Sequence, residues 1–189
     1  MPPATTSLTT LVDELSFPEG PRWHGDHLYY SDFYRHRVER VDAEGNVELV
    51  ADVPTQPSGL GWLPDGRLLI VSMTDRRVLA RTLDGEILQY ADLSELAEFH
   101  CNDMVVDANG NAYVGNFGYD RTKQDMQPAR LALIRPDGAV RVAATDLYFP
   151  NGSVITPDGG TLVVAETMKR RLTAFTIAAD GTLHDRRIW

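Results

Sequence analysis

Short apolar runs of strand length recur along the whole chain, separated by polar turns. Leu28-Tyr29-Tyr30, Leu68-Leu69-Ile70-Val71, Ala112-Tyr113-Val114 and Leu162-Val163-Val164-Ala165 are apolar at successive positions. Such runs suit strands buried on both faces. Val38-Glu39-Arg40-Val41, Val78-Leu79-Ala80-Arg81, Leu131-Ala132-Leu133-Ile134 and Leu172-Thr173-Ala174-Phe175 alternate more, as strands nearer solvent do. Turn signals bracket these runs in pairs. His24-Gly25-Asp26 pairs with Asp42-Ala43-Glu44-Gly45-Asn46, and Pro64-Asp65-Gly66 with Leu83-Asp84-Gly85. Asp107-Ala108-Asn109-Gly110-Asn111 pairs with Pro136-Asp137-Gly138, and Pro157-Asp158-Gly159 with Ala179-Asp180-Gly181. Asp bonds its own backbone in such turns, Gly accepts positive φ, and Pro presets φ. Only Leu93 to Phe99 suggests a short helix.

Each unit reads strand, turn, strand, loop, strand, turn, strand, and repeats about every 40 to 50 residues, as β-propeller blades do. The expected fold is all-β: one β-propeller domain over residues 1–189, with four blades starting near Glu19, Ser58, Asn102 and Asn151. A β-sandwich or irregular all-β domain is the competing architecture. In a blade the start of the first strand and the end of the second lie at one end. Glu19, Ser58, Asn102 and Asn151 are therefore expected at one mouth of the channel. The loops from Ser31, Ser72, Asn116 and Glu166 share that mouth; the third, Asn116 to Arg130, is the longest and a candidate substrate wall.

Composition narrows the function. The net charge of −9 leaves no electrostatic footprint for nucleic acid. No apolar run approaches the ~20 residues of a membrane helix. One cysteine, Cys101, rules out an internal disulfide. The start, Met1-Pro2-Pro3-Ala4-Thr5-Thr6, has no basic and apolar regions of a signal peptide. A cytoplasmic protein is the expectation. Nucleophile-elbow, phosphate-loop, zinc-protease and paired-cysteine motifs do not occur.

The recurring slot carries the chemistry. Glu19 offers a carboxylate, Asn102 and Asn151 neutral amide oxygens. A hard cation accepts that set, with water completing the shell. One carboxylate is weak for a divalent ion, so a second is expected from elsewhere. Taken singly, each residue also suits an ordinary turn. Trp23 and Trp62, each four residues after a slot, read as core, and the histidines other than His100 as surface.

Pro18-Glu19-Gly20-Pro21-Arg22-Trp23, Cys101-Asn102-Asp103-Met104-Val105-Val106-Asp107, Tyr113-Val114-Gly115-Asn116-Phe117-Gly118 and Phe149-Pro150-Asn151-Gly152 resemble the SMP-30/gluconolactonase/LRE-like family, in order and over nearly all of the chain. The resemblance implies a six-bladed propeller, about four of whose blades are present here, binding one divalent cation. It implies a hydrolase opening a small-molecule lactone, a sugar lactone or similar cyclic ester. Ca²⁺ is the first expectation, with Mg²⁺, Mn²⁺, Zn²⁺ and Fe²⁺ as alternatives. Glu19 and Asn151 match the family's metal ligands, and Asn102 its substrate-contacting asparagine. Asp120 falls where an acidic substrate contact occurs, and His100 where sugar-lactone members often carry arginine. That change removes a charged bidentate donor to sugar hydroxyls. The family's remaining ligand, an aspartate and also the favoured catalytic base, is expected beyond Trp189. The chain is thus expected to be a truncated or partial propeller with no catalytic base of its own, and inactive or nearly so alone. A non-catalytic metal-binding or ligand-binding propeller scaffold is the alternative. The sequence does not assign an oligomeric state.

Overall fold

The computed structural model describes residues 8–189, and among them every regular element except two short 3₁₀ turns is a strand. The first blade comprises β1 (Pro18–His24), β2 (His27–Asp32), β3 (Arg37–Val41) and β4 (Val47–Asp52). The second comprises β5 (Pro57–Trp62), β6 (Leu68–Ser72), β7 (Arg77–Arg81) and β8 (Ile87–Asp92). The third comprises β9 (Cys101–Val106), β10 (Ala112–Asn116), β11 (Ala129–Ile134) and β12 (Val140–Leu147), and the fourth β13 (Pro150–Ile155), β14 (Thr161–Glu166), β15 (Arg171–Ile177) and β16 (Leu183–Ile188). Each blade is an antiparallel sheet with its strands in chain order. The innermost strands touch in sequence, β1 with β5, β5 with β9, and β9 with β13, so the four blades form an arc.

Strand alternation builds the core between blades. Leu68 and Ile70 of β6 face Tyr29, Val38 and Ala51 of the first blade. Their neighbours Leu69 and Val71 pack with Met104, Ala112, Val114 and Ile134 of the third. Tyr113 turns the other way, against Leu162, Val164 and Phe175 of the fourth. Side chains two apart share a face, so a strand clamped between two blades must be apolar on both. The turns hold as their chemistry requires. Asp107 Oδ1 accepts from the backbone amides of Asn109 at 2.9 Å and Asn111 at 2.8 Å, and Gly110 takes φ of 84°.

Two sequence expectations are corrected. Leu93 to Phe99 is a turn: the Ala97 amide donates to Leu93 O at 2.8 Å, but the helix does not continue. Leu93, Leu96 and Ala97 have helix-like spacing because all three plug the core between blades two and three. Trp23 is 62% exposed, because β1 turns that face away from the core, whereas Trp62 stacks on His24 with ring centroids 4.1 Å apart. Among the described residues before β1 no strand forms, and Leu11 and Leu15 line one cavity with Leu28, Tyr30 and Val41 of the first blade.

Two glycines set how closely the blades approach. A Cβ on Gly59 would lie 2.4 Å from Met104 N, and one on Gly115 2.1 Å from Pro150 O. Neither position can hold a side chain without parting β5 from β9 or β10 from β13.

Candidate functional site

Every innermost strand carries a register shift at its start. The shifts fall between Glu19 and Arg22, Pro57 and Leu60, and Pro150 and Ser153, and opposite Val114 to Asn116 on β9. A bulge re-aims the residue it contains. Glu19 precedes the first bulge, and Ser58, Asn102 and Asn151 lie in the other three, so the repeated slot is a repeated bulge.

Glu19, Ser58, Asn102 and Asp103 come together on three neighbouring blades. Asn102 is 3% exposed, and its Nδ2 donates to Ser58 Oγ at 3.3 Å. Ser58 is anchored in turn, its carbonyl accepting from Ser31 Oγ at 2.6 Å. Burial pushes the Glu19 carboxyl above its usual range. The Ser58 hydroxyl pulls it partly back, the Asp103 carboxylate pushes it further up, and Asn102 lowers it. Two acceptors in this cluster are buried without a partner, Glu19 Oε1 and Asn102 Oδ1. Buried acceptors seldom stay unpaired, since each costs ~1–3 kcal/mol.

Asp103 is the second carboxylate at the cluster, a role no motif reading gave it. Its Oδ1 accepts from Arg22 Nη2 at 2.8 Å and from Met104 N at 2.9 Å. The same Arg22 Nη2 also donates to Met104 O at 2.8 Å, so a side chain of the first blade reaches the third. The available signals were adjacency: Arg22 belongs to the stretch that holds Glu19, and Asp103 follows Asn102.

The other expected residues lie elsewhere. Asn151 is half-buried, and its Nδ2 donates to Thr167 Oγ1 within its own blade at 3.2 Å, not to the cluster. His100 and Asp120 share a cavity of about 320 Å³ at the mouth. His100 stacks on Phe99 at 4.0 Å between centroids; burial lowers its pKa, Asp120 opposes that, and Arg76 adds to it. Asp120 is engaged by its own loop, accepting from Thr122 N at 2.9 Å and Thr122 Oγ1 at 2.6 Å and pairing with Lys123 Nζ at 2.9 Å. Those contacts hold its carboxyl at about 2. Cys101 is fully buried and its thiol is pushed up to about 12 by that burial, so it takes no part in chemistry.

The SMP-30/Gluconolactonase/LRE-like region family profile matches residues 17–189, from the residue before β1 to the end of the described chain. The chain belongs to this family. Among solved structures, a gluconolactonase of Xanthomonas campestris is 26% identical, with 95% of this chain covering 64% of that one at a TM-score of 0.77. Regucalcin of Agrobacterium tumefaciens, described as calcium-binding, is 20% identical, with 92% of this chain covering 59% of it at 0.75. A chain of a nidogen–laminin complex is 18% identical, with 86% covering 60% at 0.70. The last two likenesses concern the fold alone. The chain spans under two thirds of the length of the Xanthomonas gluconolactonase.

The donors present fit the divalent cation that this family implies. Glu19 supplies the carboxylate, and Asn102 a neutral oxygen, both hard donors. Among the described residues no group of three or more His, Cys, Asp and Glu side chains gathers in ligating reach. A cation at this cluster would meet the Glu19 carboxylate and the Asn102 amide oxygen, with the Asp103 carboxylate beside them held by Arg22.

Proposed function

We propose that the protein is a divalent-cation-dependent hydrolase that opens a lactone or similar cyclic ester. One observation carries this reading: the unpaired, buried Glu19 Oε1 and Asn102 Oδ1 on adjoining parts of one cluster. The family and the 26% identical gluconolactonase support it. Glu19 and Asn102 would hold the cation, Ca²⁺ first, with Asn151 from β13 of the fourth blade as a further donor once its amide leaves Thr167. Bound there, the cation would polarise the lactone carbonyl as a Lewis acid.

The chain's own residues then have separate tasks. Ser58 takes Asn102 Nδ2 as a donor, which leaves Oδ1 as the open end of that amide. So held, Asn102 presents an acceptor, suited to a cation or a substrate hydroxyl. Stabilising an oxyanion would fall to the second Nδ2 hydrogen, since the first is given to Ser58. Arg22 engages Asp103 and so keeps the second carboxylate from acting as base. The water-activating base is assigned to the family's aspartate, which no residue of the cluster replaces.

The reading predicts that this chain binds the cation and turns over little. The test is thermal unfolding with and without Ca²⁺, Mg²⁺, Mn²⁺ and Zn²⁺, beside a lactone hydrolysis screen. A melting temperature raised by one of these ions, and no longer raised in Glu19→Gln, is expected. No response to any ion would defeat the metal-dependent reading. A metal response with no lactone opened by a form that includes the aspartate would favour a metal-binding scaffold.

A further inference from the structure

The blade repeat builds a second ring of side chains one step above the slot. Two residues before each slot stand Phe17, Gln56, His100 and Phe149; directly after each second strand stand Phe33, Met73, Phe117 and Thr167. Each pair is locked in the same register by a backbone hydrogen bond. Phe33 N donates to Phe17 O at 3.1 Å, Met73 N to Gln56 O at 2.9 Å, Phe117 N to His100 O at 3.0 Å and Thr167 N to Phe149 O at 3.1 Å. Of the chain's six phenylalanines, Phe175 packs in the core between blades and Phe149 is also buried, whereas Phe17, Phe33, Phe99 and Phe117 stand at the mouth.

These rings are organised as walls. Phe17, Phe33 and Tyr34 form one cluster, with Phe33 and Tyr34 centroids 4.5 Å apart. Phe117 stacks on Phe149 at 4.3 Å and Phe99 on His100 at 4.0 Å, forming the other. The 320 Å³ cavity lies between the two, with Phe33 and Tyr34 on one side and Phe99, His100 and Phe117 on the other. That volume is at the lower end of the ~300–1,000 Å³ of small-molecule sites. Its lining surface is mostly apolar. Asp120 is consumed by Thr122 and Lys123, while Gln56 and, on the long loop, Tyr119 and Arg121 remain as polar groups. A polyhydroxylated ring needs several convergent polar partners, whereas an aromatic ring needs faces and edges to pack on.

We propose that the substrate entering over the slot is a lactone or cyclic ester that carries an aromatic ring, and that this cavity holds the ring. The proposal rests on the hydrolase reading for the reacting group; the ring-binding cavity itself is formed by the first three blades.

The test is calorimetric titration of the chelator-treated 189-residue chain with three six-membered lactones: dihydrocoumarin, δ-nonalactone and glucono-δ-lactone. Dihydrocoumarin is expected to bind saturably and more tightly than δ-nonalactone, which matches it in carbon number without a π-face, and glucono-δ-lactone to bind least. Tyr34→Ser and Phe117→Leu should each weaken dihydrocoumarin about two- to tenfold. Tyr34 is 59% exposed, so its replacement leaves the core intact, and an unchanged melting temperature verifies this. Absence of dihydrocoumarin binding, equal or tighter binding of either other lactone, or indifference to both substitutions would overturn the aromatic assignment. Because no cation and no turnover are involved, dihydrocoumarin binding by a chain whose melting ignores every metal would instead overturn the hydrolase reading and leave the cavity assignment standing.

Discussion

Glu19 is a partly buried carboxyl with one oxygen unpaired, and such a group weakens the fold until something positive sits on it. Its folded-state pKa is raised above the ordinary 4.5, chiefly by burial. The sign follows by linkage: whatever stability the neutral acid confers is fully present below 4.5 and is lost as pH rises through the folded value. Glu19→Gln is therefore expected to melt higher than the wild type at neutral pH without metal. The gap should close as pH falls toward 4.5, in melting curves collected across that window. Metal-induced stabilisation should run oppositely in the wild type, fading as protons compete for the carboxylate. A Glu19→Gln chain less stable than wild type in chelator at neutral pH would mean that the carboxylate already has a partner. Residue types and repeat position were enough to single out Glu19 and Asn102 in the sequence. The roles of Asp103 and Arg22 were not legible, because an ion pair across 81 positions leaves no local pattern.

Within each blade, the last residue of the second strand is polar and fully buried, or nearly so: Asp32, Ser72, Asn116 and Glu166. Each fastens a neighbouring segment. Asp32 accepts from Ser16 N at 2.9 Å and Phe17 N at 3.0 Å; Asn116 Nδ2 donates to Arg130 O at 2.8 Å. Ser72 Oγ is bonded to Thr55 Oγ1, and Glu166 accepts from Tyr148 N at 3.0 Å and Arg171 Nε at 2.8 Å. Burial alone would raise the Glu166 pKa, but Arg171, Thr173 and the Tyr148 amide together hold it below the usual range. Its contribution to stability is thus present above the unfolded value near 4.5 and lost as pH falls through the folded one. Glu166→Ala should cost about 1–3 kcal/mol in urea unfolding at neutral pH, because it leaves the Tyr148 amide and Thr173 hydroxyl without an acceptor while the half-exposed Arg171 and Arg186 turn to water. Glu166→Gln should cost less and flatten the acid limb of the stability curve. The strands and turns around these latches were readable, since Asp-Gly chemistry and two-residue alternation are local. The bulges were not, because a bulge is a mismatch between two strands. Leu93 to Phe99 misled because its apolar spacing serves the core instead of a helix face.

Across the arc, the first three blades are tied at their inner edges by two devices. Gly59 lets β5 approach β9 until a Cβ would lie 2.4 Å from Met104 N. Gly59→Ala is expected to part these strands at a cost of about 1–3 kcal/mol. It should also break the Asn102–Ser58 bond, visible as loss of amide protection along β9. The second device is Arg22, which spans from β1 to Asp103 Oδ1 and Met104 O, each at 2.8 Å. The guanidinium ties the arc, and its positive charge offsets the carboxylate beside Glu19. Arg22→Met separates the two effects. Loss of hydrogen bonds from a charged donor should lower stability by about 1.5–3 kcal/mol. The same change removes one of the two donors on Asp103 Oδ1 and a positive charge from a cluster that holds two carboxylates, so cation affinity should not fall and is expected to rise. Chemical denaturation measured in chelator, with calcium titration followed calorimetrically on the same variant, reads both quantities. Stability and affinity falling together would instead make Arg22 a scaffold for the slot, with geometry outweighing charge. Arg22→Lys keeps the charge but cannot reproduce the paired contacts, so it should recover little stability while leaving affinity near the wild-type value.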